Sequence, residues 1–175
     1  MIKTNKIHLG DCLEVLKKLD DKSIDLIFLD PPYNLQLNKE LTRPNHSVVN
    51  GVSQDWDKFD SYQSYDEFTY SYLENCKRLL KDDGGLWIIG SYHNIFRIGK
   101  ILQDLNFWIL NDIIWVKSNP LPNFRATRLT NAHETLIWCS KSPKSKYQFN
   151  YHTLKTGNED KQERSVWNFP ICSCL

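Results

Sequence analysis

"DLIFLDPPYNLQL", Asp25 to Leu37, passes from an apolar run straight into an acid, two prolines and a tyrosine. A continuous apolar run between turn signals is the pattern of a strand buried in a parallel sheet. Proline fixes φ and donates no backbone N–H, so Pro31 and Pro32 forbid a helix and make the following turn stiff. The expectation is a strand that delivers Asp30 to the rim of a sheet and holds Tyr33 just beyond it.

Reading outward, "NKIHLGDC" (5–12) alternates loosely and predicts a short strand, ended by Gly10 and followed by a helix over "CLEVLKKLDD". "YDEFTYSYLENCKRLLKDD" sets Phe68, Tyr72, Cys76, Leu79 and Leu80 on one helical face, with Gly84 and Gly85 as its stop. "LWIIGS" predicts another buried strand, and "NIFRIGKILQDL" a helix capped by Asn94. "FWILNDIIWVK" and "ETLIWCS" are strands rich in β-branched and aromatic residues. Strand and helix alternate, then two strands follow without a clear helix between them. That predicts an α/β fold with a mostly parallel sheet and one antiparallel strand near the end. Ligands of open α/β sheets bind beyond the carboxyl ends of the strands, where Asp11, Asp30 and Ser91 are expected. The irregular stretch 37–59 is too long for a simple turn and follows the proline pair directly.

A length of 175 residues suits one domain, read here as 1–175, and 41% hydrophobic with 25% charged residues suits a globular chain. No apolar run reaches the ~20 residues of a membrane helix, and the N-terminus has no apolar signal core, so a cytoplasmic location is expected. The five cysteines are odd in number and scattered except for Cys172 and Cys174, which points to reduced thiols. "HETLI" (133–137) begins like the zinc helix H-E-x-x-H but has Ile137 at the second ligand position, so no metal is expected. Net charge is +1, yet between Lys117 and Lys155 there are seven lysines and arginines against the single acid Glu134. Such a one-sided basic stretch is a footprint for phosphate. The basic loop "SNPLPNFRATRLTNAH" makes Asn123, Arg125 and Arg128, with Lys117 before it, candidates for DNA contact.

The turn itself carries a chemistry. Asp30 is an anionic acceptor, the carbonyls of a proline pair are acceptors on rigid backbone, and Tyr33 is a flat face. Together they suit a planar ring bearing an exocyclic amino group, with its two N–H bonds aimed at acceptors and its plane on Tyr33.

This motif resembles that of the amino-group DNA methyltransferases, which act on adenine N6 or cytosine N4. "GDCLEVL", "DPPYNLQLNKELTRPN", "WDKFDSY", "TNAHETLIW", "YQFNY" and "SVWNFPIC" look like consecutive blocks of the cell-cycle-regulated adenine methyltransferases and their GANTC-reading restriction relatives. The resemblance implies a Rossmann-like methyltransferase fold, S-adenosylmethionine as methyl donor and double-stranded DNA as partner. It implies that Asp30 and the Pro31 carbonyl hold the amino group of a flipped adenine, that Pro32 shapes the turn, that Tyr33 stacks on the base, and that Asp11 contacts the donor's adenine. The implied reaction is a direct displacement, helped by positioning and electrostatics. Asp30 favours adenine, since many cytosine-N4 enzymes carry serine there; cytosine-N4 methylation is the alternative base chemistry.

The blocks of this family that carry the glycine-rich donor loop have no counterpart in the 175 residues. In the family's permuted order the strands of that portion sit between the Asp11 and Asp30 strands. The fold expected is therefore incomplete, with exposed strand edges, weak donor binding and little or no activity for the chain alone. A non-catalytic remnant that binds DNA or a partner is the competing reading. A second copy and a complementing C-terminal polypeptide are the further candidate partners.

Overall fold

A computed structural model describes residues 5–35, 55–123 and 126–172. In chain order the elements are α1 (Cys12–Leu16), β1 (Ile24–Leu29), α2 (Tyr62–Leu79), β2 (Leu80–Gly90), α3 (Ile95–Asp104), β3 (Trp108–Lys117), β4 (His133–Ser140), α4 (Tyr151–Gly157) and β5 (Val166–Phe169), with a 3-10 turn at Asp55–Asp57. The five strands form one sheet in the order β1-β2-β4-β3-β5. β1 pairs parallel with β2, β3 pairs parallel with β5, and β4 pairs antiparallel with both its neighbours. Among the described strands β4 is therefore the one that runs backward, as the sequence predicts.

The core lies between one sheet face and the helices. Leu73 and Cys76 of α2, Leu86 and Ile88 of β2, Ile98 and Leu102 of α3, and Cys139 of β4 are all fully buried. Each large apolar side chain so buried contributes ~1.5–3 kcal/mol of transfer free energy. The opposite face carries an aromatic row, with Trp87 stacked on Trp138 and on Trp167 at centroid distances of 5.2 and 6.0 Å.

Four sequence expectations need correction. Residues 5–10 form no strand, and Ile7 and Leu9 are 96% and 101% exposed. A strand needs a neighbour for its N–H and C=O groups, and none of the described strands lies beside it. Asp11 therefore follows no strand; it is the N-cap of the short helix α1. β1 is packed on one face only, since Leu26 and Phe28 are 62% and 60% exposed. α2 ends at Leu79 rather than at the glycines, because Leu80 already starts β2 and Gly84 and Gly85 lie inside the strand. A Cβ on Gly84 would stand 2.9 Å from Leu80 Cδ2 and 3.1 Å from the Asp25 and Lys81 carbonyls, so glycine is what lets β2 close against β1. Finally, Asn94 stands at the N-cap of α3 but makes no side-chain cap bond. α4 and β5 have no counterpart in the sequence reading; of the stretch 37–59, all but 55–59 lies outside the described residues.

Candidate active site

The carboxyl ends of β1, β2, β3 and β5 share one edge of the sheet, and the reversed strand β4 begins there. The register makes this explicit: Leu29 lies beside Ile88, Gly90 beside Thr135, Val116 beside His133 and Lys117 beside Phe169. Asp30, Pro31, Pro32 and Tyr33 leave β1 at this edge.

The turn is held from the backbone side. Tyr65 of α2 donates its hydroxyl to the Pro32 carbonyl at 3.0 Å, and Asn94 Nδ2 donates to the same oxygen at 3.4 Å. Asn94 Oδ1 meanwhile accepts from Ser91 N–H at 3.0 Å, which is why its amide does not cap α3. Gly90 makes room for this, since a Cβ there would stand 2.6 Å from Asn94 Oδ1. Beyond the prolines, Asn34 adopts a left-handed conformation with φ of 53°, which asparagine tolerates better than most residues. Its N–H and that of Leu35 donate to the two oxygens of Asp57 at 2.8 and 3.3 Å.

The four residues of the turn thus present distinct surfaces. The Pro32 carbonyl is occupied, while among the described residues nothing donates to the Pro31 carbonyl. Asp30 is exposed, and its carboxylate faces the Tyr33 hydroxyl. Tyr33 is half-buried, and its hydroxyl donates to Glu134 Oε2 of β4 at 3.2 Å. Burial first, then the charges of Glu134 and Asp30, push the Tyr33 phenol far above its ordinary range. Asn34 is buried, and neither end of its side-chain amide has a hydrogen-bond partner.

The other predicted residues fall into two groups. Asp11 is exposed, and its Oδ1 accepts from Leu13 N–H and Glu14 N–H at 2.8 and 3.2 Å, so the helix-cap role is present. Arg128 lies in the loop between β3 and β4, its guanidinium 5.4 Å from the Tyr92 ring and bonded to the Tyr92 hydroxyl. Tyr92 packs on His93 at 4.0 Å, just past the end of β2. Asn123 donates to the Arg128 carbonyl at 3.0 Å and ties the loop across its base. Arg125 lies outside the described residues. Lys117 departs from the expected open cation: its side chain is 13% exposed and its ammonium bonds Glu134 Oε1 at 2.6 Å. The reason is that Lys117 and Glu134 leave adjacent strands on the same face.

Sequence reasoning missed Tyr65, Asn94, Asp57 and Glu134 as parts of the site. The local signal at Asp57 and Glu134 was a polar residue flanked by aromatics or β-strand, which many surface positions share.

The fold matches that of solved DNA methyltransferases. The PvuII DNA methyltransferase (cytosine-N4-specific) aligns with a TM-score of 0.66 at 17% identity, over 96% of this chain and 58% of that one. An M1.HpyAVI–SAM complex aligns with a TM-score of 0.58 at 21% identity, over 93% of this chain and 65% of that one. Sheet and turn define an α/β methyltransferase fold. By sequence the chain belongs to the N6/N4 DNA methylase family, whose profile matches residues 24–173. It is 54% identical over 169 residues to the type II methyltransferase M.HinfI of Haemophilus influenzae, covering 97% of this chain and 47% of M.HinfI. It is 41% identical to the type II methyltransferase M2.MboI of Moraxella bovis, over 96% of this chain and 61% of M2.MboI. The chain thus spans about half the length of M.HinfI.

Proposed function

We propose that this chain is the catalytic portion of a DNA adenine-N6 methyltransferase acting within GANTC duplex sites. The observation that carries the reading is the Asp30–Tyr33 turn: its backbone is fixed by Tyr65, Asn94 and Asp57, while the Asp30 carboxylate stays exposed at the sheet edge. An amino group placed there donates one N–H to Asp30 and the other to the Pro31 carbonyl. As both bonds strengthen, electron density gathers on the nitrogen, which is what makes it a nucleophile. The Tyr33 ring supports the plane of the base. Arg128 and Asn123 belong to the β3–β4 connection, which starts and ends at this edge, and with Arg125 they are the residues assigned to the DNA backbone.

S-adenosylmethionine supplies an electrophilic methyl group when bound. The residues present fit part of it. Asp11 uses Oδ1 on α1, leaving its other oxygen for a ligand, and the buried unpartnered amide of Asn34 is the kind of group that a polar ligand satisfies. The exposed Ile7, Leu9, Leu26 and Phe28 are apolar surface that a further portion of the fold would cover. We therefore expect the chain by itself to bind the donor weakly and to need the portion of the fold that M.HinfI has beyond the matched span.

The test is calorimetric titration of the purified chain with S-adenosylmethionine, with tritiated methyl transfer to a GANTC duplex and to a duplex lacking the site. Transfer to the adenine once the remaining portion is supplied supports the reading. Methylation of cytosine instead overturns the base assignment, and micromolar donor binding with turnover by the chain alone overturns the expectation of dependence.

A further inference from the structure

The geometry points to Glu134 as the positioning residue for Tyr33: its carboxylate, held by Lys117, tethers the tyrosine hydroxyl and so places the ring on which the target base rests. This rests on the reading of Tyr33 as the base platform.

The turn leaves a problem that its backbone cannot solve. Two prolines stiffen the main chain, but the Tyr33 ring still rotates about its own side-chain bonds. A stacking surface is useful only if its plane is fixed before the base arrives. Holding the hydroxyl fixes the first of these rotations, and because a phenol O–H stays in the plane of its ring, the direction of the acceptor biases the second. The acceptor at hydrogen-bond distance is Glu134 Oε2 at 3.2 Å, from a residue 101 positions away, and the Asp30 carboxylate faces the same hydroxyl.

The acceptor is unusual in its setting. The Glu134 side chain is 16% exposed, a place where an ionised carboxylate is costly unless paired. Lys117 meets that need at 2.6 Å through the other oxygen, Oε1. Each oxygen therefore has its own partner, and the order Lys117–Glu134–Tyr33 is fixed by chemistry: ammonium and hydroxyl donate, carboxylate accepts. Because a carboxylate only accepts, the phenol must keep its proton. Tyr33 then acts as a surface and not as a base or nucleophile, in keeping with the upward push on its ionisation. The strands make the arrangement possible. Glu134 is opposite Trp115, and Lys117 lies two residues further along β3 on the same face, its ammonium 5.6 Å from the Trp115 ring.

A merely structural ion pair would affect stability without moving the ring. The test therefore reads the ring. 3-Fluorotyrosine is placed at position 33 of the full chain and followed by fluorine NMR against pH, with no DNA or methyl donor present. In the parent chain the fluorine signal is expected to be a single held orientation that titrates only at very alkaline pH. E134A is expected to broaden or merge the signal and to shift its titration downward. K117M strands a carboxylate and E134Q strands an ammonium, so each single change is expected to disturb the ring more than the E134Q/K117M pair, in which glutamine still accepts from Tyr33. Circular dichroism checks that each variant is folded, and Y33F, which removes only the hydroxyl, serves as a second route. In the complete methyltransferase, Y33F and E134A are each expected to lower stacking of a 2-aminopurine target and to slow transfer by about tenfold to a hundredfold, and the double variant by no more than either.

An E134A fluorine signal that keeps its width and its titration overturns the tether, as does additivity of Y33F with E134A. A fluorine signal that responds while 2-aminopurine stacking does not supports the tether and overturns the platform role of Tyr33 instead.

Discussion

Asp57 receives the backbone N–H groups of Asn34 and Leu35, one on each carboxylate oxygen, at 2.8 and 3.3 Å. A side chain 23 positions downstream thus closes the turn that begins at Asp30. Bonds to a charged acceptor are worth ~1.5–3 kcal/mol each at most sites. Asp57→Ala is expected to lower the unfolding free energy by about 2 kcal/mol and to speed hydrogen exchange at both amides. Asp57→Asn keeps one acceptor and should fall between. Unchanged exchange at Asn34 in the alanine variant would show that the clamp does not act.

Asp30 contrasts with Asp57. It is exposed, and a surface substitution away from special features costs within ~0.5 kcal/mol. Asp30→Ala should therefore unfold at the same temperature as the parent, yet abolish methyl transfer in the complete enzyme. A large loss of stability would assign Asp30 to the fold instead of the chemistry.

Burial, and next the Arg128 guanidinium, hold the His93 imidazole below its ordinary range, against a smaller opposite pull from Asp57. A folded-state value below the unfolded one means that the unfolded chain takes up the proton first as pH falls. Stability linked to His93 is thus complete above pH ~6.5, the ordinary imidazole value, and is lost on descending from there through its lowered folded-state value. Denaturant midpoints measured from pH 7.5 downward should decline, and His93→Gln should flatten the part of the decline that begins near neutrality. A parallel curve in the variant would remove His93 from the account.

Burial pushes the Cys76 and Cys139 thiols up to about 12, and both are fully buried in the core. Cys12 and Cys172 are exposed. Alkylation of the native protein at pH 8 should modify Cys172 within minutes, Cys12 more slowly because part burial and then the Asp11 charge push its thiol up, and Cys76 and Cys139 only once denaturant is added, since the thiolate is the reactive form. Mass mapping of the modified peptides decides it; rapid labelling of Cys139 would mean that β4 opens readily.

Leu26 and Phe28 present apolar side chains on the edge strand β1, a known liability for association between chains. Phe28→Lys is expected to leave the unfolding midpoint nearly unchanged and to reduce concentration-dependent light scattering. Scattering that persists would locate the sticky surface elsewhere.

The sheet was legible because β1, β3 and β4 announce themselves by apolar and β-branched runs, and the reversal of β4 by the lack of a helix before it. The turn at Asp30 was legible because two prolines after an acid are rare and local. What was not legible depended on distance in sequence. Nothing beside Asn94 says that its amide will turn to Pro32 rather than to α3, nor beside Lys117 that its ammonium will find Glu134 inside the edge. Residues 5–10 alternate like a strand, but alternation states a preference for pairing and cannot supply the neighbour; Ile7 and Leu9 stand in solvent for that reason. β5 went unseen because four residues are too short a pattern.

The backward run of β4 has one more effect. β3 arrives with Lys117 at the edge where the parallel strands end, and β4 departs from the same edge with His133, so the connection between them begins and ends where the Asp30 turn sits. The Lys117 N–H bonded to the Ala132 carbonyl at 2.8 Å closes the base of that connection. Within the connection, Asn119 is tied to Ile171 and Arg128 to Tyr92, so its described residues are held from outside the β3–β4 pair. The connection is therefore the part of this sheet whose shape is set least by the strand ladder.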